Sequence, residues 1–210
     1  MYKIFQSIFK RKTALSLKSK MDMKKFLIVG LGNIGYKYSN TRHNIGFQIL
    51  DYFALKEEIN FESGKLGDKA IYKLKGRTFI FLKPSTYMNL SGKAVKYWME
   101  KEKIPLENVL IITDDINLPF GSLRLKKKGS DGGHNGLKDI QEKLNTTTYN
   151  RFRFGVSDNF PKGKQIDYVL DDWNSEESQE LKERFTKSIE IIKSFALSGM
   201  NYTMNGFNGK

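Results

Sequence analysis

A glycine-rich turn after a short apolar segment constrains the fold of this chain more than any other feature of its sequence. The segment over 26–44 reads FLIVGLGNIGYKYSNTRHN. Gly30, Gly32 and Gly35 match the G-x-G-x-x-G of a dinucleotide-binding turn, in which a helix must begin directly after the glycines to hold the pyrophosphate. Here a helical apolar period begins only at Ile45. We therefore favour a sharp backbone turn at the end of a strand over the alternative of a nicotinamide site.

The composition excludes several classes of protein. The chain has 210 residues, of which 39% are hydrophobic, which is enough to form the core of one ordinary domain. No apolar run approaches the roughly 18 residues of a membrane helix, so we expect no membrane association. The absence of Cys excludes disulfides and Cys-bearing zinc sites and is compatible with a cytoplasmic protein. Two His residues are too few for a His-rich metal cluster.

The net charge of +13 is unevenly distributed along the chain. Residues 1–20 contain six basic and no acidic residues, and the remainder is basic as well. This surplus favours a polyanionic partner, with a solvated basic surface as the plainer alternative. We expect residues 1–22 to be a basic extension that is either disordered or the product of an upstream start codon, because Met21 and Met23 precede the first strand. A transit peptide or surface anchor is the alternative. The folded domain is then expected over 23–210.

Apolar patterning beyond the extension alternates between strands and helices. Strands are predicted over 25–30, 68–74, 77–83, 109–114, 122–127 and 152–156, and helices over 44–58, 91–102, 134–144 and 176–198. Thr41 or Asn40 is predicted to cap the first helix. The continuous apolar runs 79–82 and 109–112 are typical of strands covered on both faces. The sequence therefore predicts a single-domain α/β fold with a twisted mixed β-sheet flanked by helices.

Polar residues follow several of these predicted strands at the point where each strand ends. Singly, each has an ordinary explanation as a turn former, a cap or a structural histidine. In α/β sheets, however, functional sites gather beyond the carboxyl ends of the strands. We therefore expect one edge of the sheet to bring together Asn33, His43, Asn89, Asp114, Asp115, His134 and Asn135.

Five sequence blocks resemble the bacterial-type peptidyl-tRNA hydrolase family, in order and in spacing. They are GLGNIGYKYSNTRHNIGF, KPSTYMNLSGKAV, IITDD leading into NLPFG, GGHNGLKDI and RFRFGV, and the resemblance extends from Lys24 to about residue 207. It implies a monomeric α/β enzyme that cleaves the ester between a peptide and the terminal ribose of tRNA. Such an enzyme recycles tRNA from prematurely released peptidyl-tRNA, with tRNA as its partner and without a metal or organic cofactor.

The resemblance also implies roles for individual residues. His43 matches the catalytic base and Asp114 the carboxylate that supports it. Asn33 matches the side chain that helps to distinguish peptidyl from free aminoacyl esters. The remaining matches are the substrate-contacting positions Tyr38, Tyr87, Asn89 and Asn135, and the positions near tRNA phosphates, Arg124, Lys126 and Arg153. His134, at a predicted helix start, is interpreted as a capping or packing residue.

The implied roles suit the chemistry of ester hydrolysis. A neutral imidazole can take a proton from an attacking water, and a carboxylate on the other ring nitrogen fixes the tautomer and stabilises the imidazolium. Amide side chains can donate to peptide carbonyls and to the developing oxyanion. Lys and Arg on alternate positions of one strand would contact phosphates without reading sequence.

Some positions depart from the family pattern, and a second function class remains open. Ile34 stands where Pro is usual, Thr113 where His is common, and Ser130-Asp131 interrupt a glycine run; Asp115 and Asn117 replace Glu and Asp. These changes affect loop rigidity and the local pKa and leave every proposed catalytic group in place. The alternative is an RNA-binding protein of the intron-splicing type on the same fold, since fold alone does not establish activity.

Overall fold

Continuous apolar runs form the centre of a seven-stranded mixed sheet in the computed structural model, which describes residues 22–209. The strand order is β2-β3-β4-β1-β5-β7-β6, in which β4, β1, β5 and β7 are parallel and the outer pairings are antiparallel. The strands are β1 Lys25–Gly30, β2 Glu62–Gly64, β3 Gly67–Leu74, β4 Arg77–Pro84, β5 Val109–Asp115, β6 Leu123–Lys128 and β7 Thr148–Gly155. The helices are α1 Ile45–Lys56, α2 Ser91–Lys101, α3 Asn135–Leu144, α4 Gln165–Val169, α5 Ser175–Ser198 and α6 Met200–Phe207.

Helices cover both faces of the sheet, so alternate residues of the central strands enter two separate cores. Phe79 and Phe81 of β4 pack with residues of α1 and α5, whereas Ile80 and Leu82 pack with residues of α2 and α3. Burial of each such side chain stabilises the fold by roughly 1.5–3 kcal/mol. The prediction of a mixed sheet flanked by helices is confirmed. No helix within residues 22–209 has both the length and the apolar character needed to cross a membrane.

The glycine turn after β1 serves helix packing. A β-carbon on Gly30 would overlap the backbone carbonyl of Gly46, and Gly35 has a φ of 107°, in the region that favours glycine. The following helix begins at Ile45, ten residues beyond Gly35, and not at the turn itself. A pyrophosphate on this turn would therefore meet only the single 3-10 turn over Tyr36–Tyr38 and not the N-terminus of an α-helix, which supports the interpretation of the glycines as a structural turn.

The sequence-based element assignments need several corrections. β2, α4 and α6 were not predicted, and β7 begins at Thr148 instead of residue 152. Asn150 and Arg151, both buried, interrupt the apolar pattern of β7. The predicted cap on the first helix is wrong, because a 3-10 turn over Arg42–Asn44 precedes α1 and the Thr41 hydroxyl donates to the Tyr38 carbonyl oxygen. The predicted extension over 1–22 lies, except for Asp22, outside the described residues.

Candidate active site

The carboxyl ends of the parallel strands border a cleft of about 670 Å³. Asn33 follows β1, Asn89 follows β4 and Asp114 lies near the end of β5. This placement confirms that the polar residues converge at one edge of the sheet. Eight of the predicted site residues line the cleft, namely Asn33, His43, Tyr87, Asn89, Asp114, Lys126, Asn135 and Arg153. The other two predicted site residues, Tyr38 and Arg124, lie outside the cleft lining.

His43 and Asp114 form a hydrogen-bonded pair at the base of the cleft. Nδ1 of His43 lies 3.0 Å from both carboxylate oxygens of Asp114. Because a carboxylate only accepts, Nδ1 carries the proton and the lone pair of the neutral ring is on Nε2. Nε2 of His43 has no hydrogen-bond partner among residues 22–209. The pair therefore presents a free basic nitrogen next to the cleft.

Both sequence neighbours of His43 are fixed by buried contacts. On one side, the guanidinium of Arg42 donates to both carboxylate oxygens of Glu177, at 2.6 and 3.3 Å, and lies 4.4 Å from the ring centroid of Tyr168. On the other side, Asn44 accepts from the Asn33 backbone N–H at 2.8 Å and donates to the Asn33 carbonyl oxygen at 2.9 Å. The 3-10 turn that carries His43 is thus held at both ends.

His134 makes a second contact with Asp114. Its Nδ1 accepts from the backbone N–H groups of Gly136 and Leu137, at 3.0 and 3.3 Å, which confirms that it caps α3. The ring proton is consequently on Nε2, which lies 3.0 Å from Asp114 Oδ1 and 2.7 Å from the hydroxyl of Thr113. Asp114 therefore accepts N–H donors from two imidazole rings. The sequence indicated the cap but not this second role.

The environment shifts the pKa of both His43 and Asp114. Burial lowers the pKa of His43, but the negative charge and hydrogen bond of Asp114 raise it by more, so that it lies above the ordinary value of 6.5. Burial would raise the pKa of Asp114, but electrostatic attraction to the rings of His43 and His134 and hydrogen bonds from their N–H groups hold it well below its usual range. Asp114 is therefore a permanent carboxylate at neutral pH.

The arrangement of His43, Asp114 and His134 also has the spacing of a metal site, since one ligand atom from each lies within 4.8 Å of the others. The donor chemistry does not fit a cation, however. A metal ligand must offer a lone pair, and Nε2 of His134 carries a proton because Nδ1 accepts two backbone hydrogen bonds. Metal binding there would require His134 to give up the cap of α3.

Asn33 is oriented by the backbone of the neighbouring loop. Its Oδ1 accepts from the Met88 N–H at 2.9 Å, which fixes the amide so that Nδ2 is the remaining side-chain donor. No residue within 22–209 accepts from that Nδ2. Asn33 therefore offers the cleft a hydrogen-bond donor, while Tyr87, Asn89 and Asn135 are exposed on its walls.

Basic side chains form a ladder on β6 and β7 beside the cleft. Arg124 lies opposite Arg153, and Lys126 lies opposite Arg151. Arg124 and Lys126 are exposed and flank the buried Leu125, as predicted from strand alternation. Arg153 is ion-paired with Asp115. Arg151, which is 2% exposed, donates to backbone carbonyl oxygens of the 129–130 loop and of Thr147 and so supports that loop.

Comparison with known proteins identifies the family. Residues 27–210 match the family model described as Peptidyl-tRNA hydrolase. A peptidyl-tRNA hydrolase of Azobacteroides pseudotrichonymphae is 59% identical over 184 residues, which is 88% of this chain and 99% of the relative. One from Phocaeicola vulgatus is 58% identical over 186 residues, covering 89% of this chain and 100% of the relative.

A solved structure agrees with these sequence matches. The crystal structure of peptidyl-tRNA hydrolase from Acinetobacter baumannii superimposes with a TM-score of 0.82 at 31% identity, over 89% of this chain and 96% of that one. The resemblance of the five sequence blocks, the fold and the comparisons agree, and this chain belongs to the peptidyl-tRNA hydrolase family.

Proposed function

We propose that this protein hydrolyses the ester that joins a peptide, or an N-blocked amino acid, to the terminal ribose of tRNA, with His43 as the base. The observation that carries the proposal is the His43–Asp114 pair of a chain in this family, in which Nε2 of His43 faces the cleft and has no hydrogen-bond partner among the residues that the structure describes. An activated ester needs only a water made nucleophilic and a stabilised oxyanion.

The geometry supports a two-step proton transfer. Nε2 of His43 takes a proton from water as the water oxygen attacks the ester carbonyl carbon, and Asp114 stabilises the imidazolium that forms. Nδ2 of Asn33 donates to the substrate near the carbonyl oxygen that gains charge. As the carbon–oxygen bond to the ribose breaks, His43 returns the proton to the ribose oxygen. The products are the free peptide acid and tRNA with an intact 3′ hydroxyl.

The remaining predicted contacts divide between the two parts of the substrate. Asn89, Asn135 and Tyr87, exposed on the cleft, contact the peptide and terminal nucleotide, and Tyr38 contributes from outside the cleft wall. The basic ladder, namely Arg124, Lys126 and Arg153, lies against the phosphates of the acceptor stem. This division gives little sequence preference for the tRNA, since phosphates carry no base information.

Residues 23–210 form the catalytic unit, which works as a monomer in the cytoplasm and uses neither a metal nor an organic cofactor. The tautomer of His134 supports metal-free chemistry, because it withholds the lone pair that a cation would need.

A direct assay tests the proposed activity. Purified protein is incubated with N-acetylated aminoacyl-tRNA and with free aminoacyl-tRNA, and release of the acyl group is followed in the presence of a chelator. We expect rapid release from the blocked ester, slow release from the free one and no effect of the chelator. Tight tRNA binding without release would contradict the proposal and favour the RNA-binding alternative.

Replacement of Asn33 by aspartate tests the contribution of its Nδ2 hydrogen-bond donor to the reaction. The Asn33→Asp side chain keeps the oxygen that accepts from Met88 N–H but replaces Nδ2 with a second acceptor. Loss of one oxyanion donor typically costs roughly 3 kcal/mol of barrier, so kcat should fall about 100-fold. Steady-state kinetics measures this, and unchanged kcat with a preserved thermal unfolding midpoint would remove Asn33 from the mechanism.

Neutralisation of the basic ladder should weaken binding without affecting the chemical step. For the double variant Arg124→Gln/Lys126→Gln, we expect a higher KM and an unchanged kcat. The slope of log(kcat/KM) against log salt concentration should be less negative by about 1 to 2, because each phosphate contact releases close to one counterion. Titration of kcat/KM against salt concentration tests this. A salt dependence equal to that of the parent protein would place the acceptor stem elsewhere.

A further inference from the structure

A second basic surface lies at the edge of the sheet opposite to the ladder of β6 and β7. β3 is next to one end of the strand order and β6 is at the other end, so the two strands are separated by five strand spacings, or about 24 Å. The second surface is formed by the turn between β2 and β3, by β3 itself and by α2. We define it as the lysine–aromatic patch, consisting of Lys65, Lys69, Lys93, Tyr97 and Lys101.

The patch is built around two aromatic rings that contact each other. Tyr97 and Trp98 have ring centroids 5.5 Å apart in an edge arrangement. Around them, Lys65 Nζ lies 5.0 Å from the Tyr97 ring, Lys69 Nζ lies 5.0 Å from the Trp98 ring, and Lys101 Nζ lies 5.6 and 4.5 Å from the two rings. Three ammonium groups from three different elements are therefore gathered on one platform.

The positions of these lysines are fixed by the fold. Trp98 is 3% exposed and its Nε1 donates to the Lys65 carbonyl oxygen at 2.9 Å, which ties the β2–β3 turn to α2. On α2, Lys93, Tyr97 and Lys101 are four residues apart and so share one face of the helix. The surface is thus already formed without a partner, which lowers the entropic cost of binding one.

The lysines of the patch lack acidic partners within the described residues. Six other lysines form ion pairs there, namely Lys25, Lys83, Lys143, Lys164, Lys187 and Lys193. Residues 1–21 contain no acidic side chain that could pair with the patch. Of the nearby acids, Glu102 is paired with Lys25 and Asp68 accepts from the Ser63 hydroxyl. Glu62, opposite Lys69 in the strand register, and Glu100 on α2 are exposed, so two exposed carboxylates stand against the four lysines. The patch therefore keeps a local excess of positive charge.

We propose that the lysine–aromatic patch is a second RNA-binding surface that acts independently of the ester-hydrolysing cleft. Lysine ammonium groups contact phosphates as point charges without selecting a sequence, and the partly exposed ring of Tyr97, beside Lys65 and Lys101, adds an aromatic surface next to these charges. A membrane surface fits less well, because lysines and not apolar anchors dominate the patch. The partner is an RNA segment other than the acceptor stem bound at β6 and β7.

The test measures binding of a labelled RNA hairpin of about 20 nucleotides by fluorescence anisotropy. It uses the Arg124→Gln/Lys126→Gln variant as the starting protein, because these substitutions weaken binding at the basic ladder of β6 and β7. Adding Lys65→Gln, Lys69→Gln and Lys101→Gln should weaken binding about 10-fold or more at roughly 100 mM salt and reduce the salt slope by about 2 to 3. The matched control neutralises Lys56, Lys182 and Lys187, which are exposed on helices that cover the other face of the sheet.

Three outcomes would overturn the proposal. Equal weakening by the patch and control variants would mean that only net charge matters. Binding to vesicles rich in phosphatidylserine, without binding to the hairpin, would assign the patch to membranes. A parallel fall in kcat/KM for peptidyl-tRNA, when the three patch substitutions are made in the parent protein, would assign the patch to the substrate. The hydrolysis assay on the parent protein is run beside these tests, so failure of the patch and failure of the proposed activity are separable.

Discussion

Replacement of His43 by alanine is expected to reduce kcat for ester hydrolysis by about 1,000-fold while leaving tRNA affinity nearly unchanged. The reason is that Nε2 of His43 is the only proposed proton acceptor for the attacking water, and a positioned general base contributes about 10²- to 10⁴-fold. The cationic residues proposed to hold the tRNA are on β6 and β7 and do not depend on this ring. Single-turnover kinetics and binding of a non-cleavable amide-linked peptidyl-tRNA measure the two effects separately.

A matched variant separates the base from the hydrogen bond. His43→Asn retains a side-chain donor toward Asp114 but has no basic nitrogen at the cleft, so it should be about as inactive as His43→Ala. Substantial activity in either variant, with an intact fold by circular dichroism, would show that another group activates the water.

Replacement of Asp114 by asparagine should reduce kcat by about 100-fold. The Nδ1–H group of His43 can donate to either oxygen of the carboxylate, but an asparagine offers only one oxygen. If the asparagine NH₂ group faces Nδ1 instead, the ring proton moves to Nε2, and Nε2 then lacks the lone pair that accepts a proton from water. His43 remains in place, so the loss should be smaller than for His43→Ala. A variant with parental kcat would mean that the carboxylate does not support the base.

The same substitution should move the pH dependence in a defined direction. His43 must be neutral to act, and the charge of Asp114 raises its pKa above 6.5 against the opposing effect of burial. The acidic limb of kcat/KM in the parent protein should therefore lie above pH 6.5. With Asp114→Asn the raising contributions disappear while burial remains, so the limb should shift below 6.5. A shift in the opposite direction would contradict the assigned electrostatics.

The convergence of site residues was predictable because parallel strands end at one edge of a sheet. Asn33, Asn89 and Asp114 each follow or end a strand that periodicity identified, and the structure brings all three to the cleft. The catalytic and binding roles assigned to these residues remain predictions. Sequence similarity supplied those roles, since periodicity alone only located the residues.

Contacts that depend on distant partners or on ring orientation were not predictable. Arg42 and Glu177 are 135 residues apart, and no local pattern links them. The contact of His134 with Asp114 depends on which ring nitrogen caps α3, which is decided only by the folded helix. The position of Asn44 directly after His43 in the TRHN motif could have indicated a role in the site. Its burial and its hydrogen bonds to the Asn33 backbone, however, become visible only in the structure.

Titration of His43 by NMR beside the pH–rate profile tests the central claim most directly. If His43 is the base in the free enzyme, its measured pKa and the acidic limb of kcat/KM must coincide above pH 6.5 in the parent protein. Both must then fall together in Asp114→Asn. A kinetic limb that does not follow the titration of His43 would contradict the account.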